Sequence, residues 1–436
     1  MIDEDRGTVR AVAWWEVFPW LNLLRAFRLA IGFRVLLLSA VAILLTVAGW
    51  KLVALAFSQE TLPEYSSVSC PWTSLSGMVP DRPSLLGVLP DRPVTATAGA
   101  EPASARPGSK PALPQPRVEP MTHVWRFLSN PALSSFQVET GLPRLAGMLL
   151  CGLWGLAVWA LFGGAITRIL AVQIAAEERV SWGAVVHHAT SKWLSYFGAP
   201  LFPIIGILLA ALPVCLFGLL LRASIGVFLV GLAWPVFLVC GLIMALLLLG
   251  LIFGWPLMWA TISSEGTDSF DALSRSYAYV FQRPLNYLLY VIVAALVGSV
   301  GWLLVSEFAA GIVGLTYWAA SWGSGLKPIE DILSYNPDLG VMGKIGAWFI
   351  HFWAGCVKLL AVGFLYSYFW SSTSIIYFLL RRDVDATEMD EVYLEEEEQT
   401  YGLPPLKTDE SGAPVVAQGT SPAEPSDAPK PCQDEE

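Results

Sequence analysis

Six long runs of apolar residues dominate the chain, and they cover about residues 35–57, 145–167, 197–221, 226–260, 285–306 and 357–380. About 20 helical residues cross the ~30 Å hydrocarbon core of a bilayer, so each run predicts a spanning helix. Residues 223–264 carry no charge. On length alone they fit one tilted crossing or two short crossings broken near Pro235 or Gly250.

Basic residues between the runs predict the topology. They lie in four flanks: Arg25, Arg28 and Arg34; Arg168, Arg179 and Lys192; Arg275 and Arg283; Arg381 and Arg382. The opposite short connections hold fewer basic residues, so the positive-inside rule places these flanks and both termini in the cytoplasm. That pattern needs an even number of spans, which favours a single crossing for 223–264.

The polar segments between spans repeat. Glu177 and Ser181 match Glu265 and Ser269 without a gap. Apolar positions at i, i+3, i+7 and i+11 follow in both copies, namely Trp182, Val185, Ala189 and Trp193, and Phe270, Leu273, Tyr277 and Phe281. A weaker copy with the same spacing precedes the first span: Trp20, Leu23, Phe27 and Ile31. The spacing predicts amphipathic helices, so the chain divides into three units of an amphipathic helix followed by a two-span hairpin.

The boundaries of these amphipathic helices have local signals. Ser181 and Ser269 are predicted N-caps, because a serine hydroxyl accepts from the unpaired amides of the first turn. Arg283 and Pro284 are expected to end the second helix, since proline disfavours helix in the residue before it. The apolar stripes are predicted to lie in the membrane interface, which makes the repeated segment a structural joint.

The remaining segments differ in composition from the spans. Residues 1–57 form an N-terminal amphipathic segment and the first span, for which a cleaved signal peptide is the alternative. Residues 58–143 contain 14 prolines and predict a largely disordered loop outside the cytoplasm. Residues 144–380 hold the other five spans. Residues 381–436 form an acidic, mostly disordered cytoplasmic tail, with a short helix predicted over 384–398.

Composition narrows the function. The chain is 55% hydrophobic and 14% charged, which indicates an all-α integral membrane protein and argues against a nucleic-acid partner. The six cysteines form no CxxC pair, and the four histidines do not cluster, so neither a disulfide framework nor a metal site is predicted. No motif of a catalytic or nucleotide-binding site is present. We therefore predict no catalytic residue, no cofactor and no metal.

Several charged residues remain as candidates for other roles. Glu265, Arg275 and Arg283 are predicted to contact a phospholipid headgroup or a protein partner at the inner surface. Glu307 and Lys358 fall near the outer boundary of their spans and are predicted to form a structural ion pair, because charges in a membrane are costly unless paired. The apolar segments 308–323 and 342–356 exceed what two spans need and are predicted to form outer interfacial or re-entrant helices.

The order of a long apolar span ending in a glutamate, then SFDALSRSYAYVFQRP and another span, resembles a broad superfamily of bacterial polytopic membrane proteins whose roles are poorly defined. That superfamily includes the membrane domain attached to some glycerophosphodiester phosphodiesterases, and the resemblance covers about residues 145–310. In those fusions a separate soluble barrel carries catalysis, and no soluble segment here is long or apolar enough to form one. The resemblance implies architecture without activity.

These observations predict a non-enzymatic polytopic protein, a scaffold or accessory factor of a bacterial cytoplasmic membrane. Its partners would be the lipid bilayer, phospholipid headgroups and a protein bound through the acidic tail. The alternative is a transporter or lipid-handling protein, since many transporters consist of internal repeats. An enzyme acting on lipid ranks third.

Overall fold

The computed structural model describes residues 18–57, 75–76, 78–79, 118–135, 141–334 and 339–393. All regular secondary structure in these residues is helical, and none of them forms a β-strand. The α-helices are α1 (Arg25–Ala30), α2 (Phe33–Ala56), α3 (Pro120–Ser135), α4 (Leu142–Ala175), α5 (Trp182–Ser191), α6 (Trp193–Gly218), α7 (Ser224–Glu265), α8 (Ser269–Gln282), α9 (Pro284–Ser324), α10 (Leu326–Leu333) and α11 (Val341–Asp385). Short 3-10 turns, Pro19–Leu24 and Leu219–Arg222, precede α1 and follow α6.

Six of these helices, α2, α4, α6, α7, α9 and α11, are long and apolar enough to cross a membrane. The predicted all-α membrane fold is therefore confirmed. Residues 223–264 resolve as one helix, because α7 continues through Pro235 and Pro256 without a break. At 42 residues α7 is about 63 Å long, so it must tilt strongly or extend beyond the hydrocarbon core.

The prediction of separate outer helices at 308–323 and 342–356 is wrong. Residues 308–323 continue α9, and residues 342–356 form the first part of α11. Apolar composition indicates that a segment tolerates lipid, but it does not mark where one helix ends. Of the aromatic residues in these extensions, Trp318, Trp322, Trp348 and Trp353 are exposed.

The core is built around the second half of α11. From Ala361 to Arg381 this helix is buried on all faces, packed by α2, α4, α7 and α9. Small residues permit the close approach. A Cβ atom on Gly163 of α4 would lie 2.5 Å from the ring of Trp259, so only glycine fits there.

Large aromatic side chains fill the middle of this core. Trp259 and Trp370 stack with their ring centroids 4.8 Å apart, and Trp159 stacks on Tyr366 at 5.3 Å. Trp255 meets the edge of Trp370 at 5.8 Å. We call these five residues the aromatic layer. All but Trp255 are at most 1% exposed, so the layer fills the bundle centre.

The loop predicted over 58–143 contains ordered structure at its end. Residues Pro120–Ser135 form α3, and Val124 on this helix is fully buried. Leu75 and Val79, further back in the same segment, are buried in the main core. The prediction of a largely disordered loop is thus wrong for these residues, because their apolar side chains pack on the bundle. The rest of the loop lies outside the described residues.

The amphipathic segments α1, α5 and α8 all lie at one end of the bundle, which we call the joint end. Helix α8 starts beside the end of α7 and folds back along it, since the Tyr277 hydroxyl donates to Leu247 O at 2.6 Å. The Tyr277 ring packs on Gly250, whereas Phe270 and Phe281 are exposed. One part of the predicted apolar stripe therefore packs on the protein, and another part is exposed. Its placement in a membrane interface stays a prediction.

The chain reverses after α11. Ala386 has φ of 54°, a left-handed conformation that ends the helix. Residues 387–393 are not helical, so the short helix predicted over 384–398 is wrong as far as Tyr393. Residues 1–17 and 394–436, which include most of the predicted acidic tail, lie outside the described residues.

Candidate functional site

Glu265 is the centre of a charged cluster at the joint end. Its side chain is 9% exposed, and the Tyr377 hydroxyl donates to Oε1 at 2.5 Å. Arg275 Nη1 lies 2.8 Å from Oε2, and Arg381 Nε lies 3.4 Å from Oε1, an ion-pair distance longer than a good hydrogen bond. We call Glu265, Arg275, Tyr377 and Arg381 the Glu265 cluster. It joins α7, α8 and α11 through one carboxylate.

Local backbone geometry places these side chains together. Gly266 has φ of 66°, so α7 ends there and the chain turns back. A Cβ atom at this position would also lie 2.5 Å from the Tyr393 ring. The next helix begins at once, because Asp268 accepts from Asp271 N at 3.0 Å as the N-cap. This short reversal brings Arg275 of α8 back to Glu265.

The N-cap prediction is wrong for Ser269. The cap is Asp268, and the Ser269 hydroxyl instead donates to Ser195 O at 2.9 Å, which ties α8 to α6. Asp268 and Ser269 both have side chains that can cap a helix. Ser269 is used for the contact with Ser195, so Asp268 caps the helix. In the other copy Ser181 is the N-cap of α5, where its Oγ accepts from Ala184 N at 3.3 Å.

Burial and charge act in opposite directions on Arg275. Burial, the largest single cause, lowers the pKa of the guanidinium, but Glu265, Asp271 and Tyr279 together outweigh it, so the pKa is raised. Arg275 Nε lies 3.3 Å from Asp271 Oδ2, one turn earlier on α8. The cluster therefore holds Arg275 as a cation that already has two anionic partners.

The last described residues cover the cluster. Tyr393 N donates to Ser264 O at 2.7 Å, and buried Arg168 donates from Nη1 to Ser263 O and Tyr393 O at 2.8 and 2.7 Å. Arg381 Nη1 donates to Glu391 O at 2.8 Å. We call residues 391–393 with these contacts the tail anchor. A shallow polar recess remains beside it, lined by Ser264, Glu265, Arg275, Arg381, Asp390, Glu391, Val392 and Tyr393.

Two further acidic residues near the end of α11 hold neighbouring helices. The Tyr279 hydroxyl of α8 donates to Asp385, and burial together with that carboxylate raises the pKa of Tyr279. Asn286 and Tyr290 of α9 donate to Asp383 at 3.2 and 2.9 Å. The end of α11 is therefore bonded to α7, α8 and α9.

The amphipathic segments also contact one another in chain order. Arg25 pairs with Glu177 at 2.9 Å, and Arg34 donates to Val180 O at 2.7 Å, so the first unit meets the second. Lys192 Nζ donates to Gly266 O at 2.6 Å, so the second meets the third. The two glutamates that the repeat equates have different environments, because the side chain of Glu177 is 76% exposed. Polar contacts therefore link the three amphipathic segments at the joint end.

Near the joint end, a chain of buried hydroxyl groups links α4, α7 and α6 to α5. Thr167 Oγ1 is 2.6 Å from Ser263 Oγ, which is 2.7 Å from the Tyr196 hydroxyl. The Tyr196 hydroxyl in turn lies 3.1 Å from Nε2 of His188, which is fully buried. Each group has a partner, so this network fits a packing role.

The other predicted contact residues fall outside the cluster. Arg283 is exposed at the break between α8 and α9, and the described contacts of Glu265 do not include it. Lys358 is buried on α11 and Glu307 is partly buried on α9, two helices that pack together. Their ion pair stays a prediction. Among the described residues, no group of three or more His, Cys, Asp or Glu has the geometry of a metal site.

The sequence interpretation missed three members of this site. Tyr377, Arg381 and Arg168 were read as parts of spans or of their basic flanks. Tyr377 is 112 positions from Glu265 in the chain, so no local pattern connects them. A signal was present in the paired arginines at the end of the last span, because adjacent helix positions point about 100° apart and the two side chains reach different faces.

A second feature is an apolar cavity of about 450 Å³, which shares no lining residue with the recess beside the Glu265 cluster. It lies between α4, α6 and α7 and is covered by α3. The aromatic layer supplies Trp159, Trp255 and Trp259 to its floor. We call it the lateral cavity.

No family model matches this chain, and neither a curated protein nor a solved structure matches it.

Proposed function

We propose that this polytopic membrane protein is a non-enzymatic scaffold or accessory factor of a bacterial cytoplasmic membrane, with both termini in the cytoplasm. The basic flanks of the spans support this orientation through the positive-inside rule. In it, the joint end faces the cytoplasm, and the acidic tail is presented to soluble partners.

The tail anchor is the observation that carries the proposal. Backbone hydrogen bonds from Tyr393 and to Glu391 fix the chain on the end of the bundle. The sequence LEEEE follows immediately at 394–398. A run of four carboxylates concentrates negative charge, which suits recognition of a basic protein surface.

The bundle centre favours this proposal over a transporter. A transporter built from repeats needs a polar route near the membrane midplane. Here the aromatic layer fills the centre, and Trp159, Trp259 and Trp370 are each at most 1% exposed. The Glu265 carboxylate is already engaged by a tyrosine and two arginines, so it serves the packing of three helices.

Neutralising the acidic run tests the proposal. We expect replacement of Glu395 to Glu398 by glutamine to reduce crosslinking of a stoichiometric soluble partner in cells about tenfold, because charge complementarity at an interface commonly contributes 1 kcal/mol or more. The matched control removes four acidic residues elsewhere in the tail, as Asp427→Asn, Asp434→Asn, Glu435→Gln and Glu436→Gln. It should leave the crosslink unchanged. Quantitative mass spectrometry of the crosslinked complex gives the measurement.

Two results would contradict the scaffold proposal. One is the recovery of the same partners at the same yield from the glutamine variant. The other is a flux of ions or dye through proteoliposomes that contain the full chain, above the flux through empty liposomes. The second result would support the transporter alternative directly.

A further inference from the structure

The lateral cavity is lined almost entirely by carbon. Trp50, Trp125, Met148 and Ile204 contribute to its walls. The indole nitrogens of the two tryptophans are used within the protein, since Trp50 Nε1 donates to Cys151 O at 2.8 Å and Trp125 Nε1 donates to Ile252 O at 3.0 Å. A cavity lined mainly by carbon holds water poorly and takes an apolar guest.

The cavity opens towards the side of the bundle. Leu133, Leu149, Leu153 and Leu208 line it and are also exposed on the outer faces of α3, α4 and α6. In a protein whose helices span a membrane, these faces meet hydrocarbon. A guest that enters from this side comes from the lipid phase, and a volume of about 450 Å³ lies within the range of ordinary ligand pockets.

Three basic residues are adjacent in sequence to residues that line the cavity. Trp50 is followed by Lys51, Trp125 is followed by Arg126, and Arg144 precedes Leu145, all three neighbours being cavity residues. Arg126 is exposed. The acidic residue described at the start of α3, Glu119, accepts from Met121 N and Thr122 N at 2.8 and 2.6 Å. In the described parts of these segments the three cations outnumber this one acidic residue, which favours an anionic ligand.

We propose that the lateral cavity binds an acyl chain of an anionic glycerophospholipid, with the phosphate held at Arg126 and with Lys51 and Arg144 adding positive potential. This site is additional to the scaffold function and does not depend on it. Moving an acyl chain from lipid into the cavity exchanges one apolar environment for another, so it gains little hydrophobic free energy. Selectivity must then come from the headgroup.

Native mass spectrometry of the full chain in mild detergent tests this site with two lipids that share their acyl chains, dioleoyl phosphatidylglycerol and dioleoyl phosphatidylcholine. We expect phosphatidylglycerol to bind about tenfold more tightly, which is the scale of one charge-assisted contact. Arg126→Gln should abolish that preference, because it removes the cation and leaves the cavity intact. Arg222→Gln, which removes an exposed arginine from the turn between α6 and α7, should retain it.

A cavity-filling variant separates the chain site from the headgroup site. Ala132 lines the cavity on α3 and is exposed, so Ala132→Trp should fill the space without disturbing the core and should lower the occupancy of both lipids at least fivefold. Equal affinity for the two lipids in the unaltered chain would overturn the headgroup assignment, as would a preference that survives Arg126→Gln. Unchanged occupancy in Ala132→Trp would overturn the cavity as the site.

Discussion

Glu265→Ala is expected to lower the free energy of unfolding by about 3 kcal/mol, because it leaves the buried Arg381 guanidinium without the carboxylate buried beside it. The side chains of Glu265 and Arg381 are 9% and 11% exposed, whereas that of Arg275 is 41% exposed and recovers part of its hydration. The Tyr377 hydroxyl also loses its acceptor. Reversible unfolding in mixed micelles of mild detergent and SDS measures the change.

Asp271→Ala is the matched control for this substitution. Asp271 meets the same arginine at 3.3 Å, but both side chains are exposed by more than a third. Exposed ion pairs contribute at most about 1 kcal/mol, so the control should differ from the unaltered protein by no more than that. A Glu265→Ala variant as stable as Asp271→Ala would show that the Glu265 cluster does not hold α7, α8 and α11 together.

Trp370→Ala is expected to destabilise the protein by about 3 to 5 kcal/mol, the range for removing a large aromatic side chain from a packed core. Trp370 is fully buried and touches the rings of Trp159, Trp255 and Trp259. Its loss opens a space that these rings cannot fill without leaving their stacked positions. The same unfolding experiment in micelles gives the measurement.

Trp322→Ala removes an identical side chain from the outer part of α9, where Trp322 is 76% exposed. A change below about 1 kcal/mol is expected there, because little packing is lost. Equal losses in the two tryptophan variants would contradict a packed aromatic layer. They would support the alternative, a transporter with a route through the bundle centre.

The spans were predictable because each depends on local composition. A run of apolar residues longer than the hydrocarbon core predicts a crossing whatever it packs against, and the even count required by the basic flanks correctly made α7 one helix. The extensions of α9 and α11 were missed for the same reason, since hydropathy alone does not show whether consecutive apolar segments share a helix axis.

The candidate site was predictable only in part. Glu265 and Arg275 are only ten residues apart in the chain, on either side of a turn, so their closeness in sequence already favours a contact. Arg381 and Tyr377 reach the same carboxylate only because α11 packs beside α7, which is a property of the folded bundle. The predicted N-cap of α8 was wrong by one position, because Asp268 and Ser269 have similar capping ability. Asp268 is the cap because the Ser269 hydroxyl is bonded to Ser195 O on α6.

The lateral cavity had no sequence signal of its own. It depends on α3, a helix inside a proline-rich segment, which supplies one wall of the cavity beside α4, α6 and α7. The tail anchor depends in the same way on a single left-handed residue, Ala386, that turns the chain back over the Glu265 cluster. Both features arise from tertiary packing of segments whose composition predicted little structure.

The proposed orientation places the joint end, the tail anchor and both termini in the cytoplasm, and cysteine labelling in whole cells tests it most directly. Two variants keep one cysteine each, Cys70 in the loop after the first span or Cys432 in the tail. A membrane-impermeant maleimide should label Cys70 in intact cells and should label Cys432 only after the membrane is permeabilised. Labelling of Cys432 but not Cys70 in intact cells would contradict the orientation, and with it a cytoplasmic scaffold.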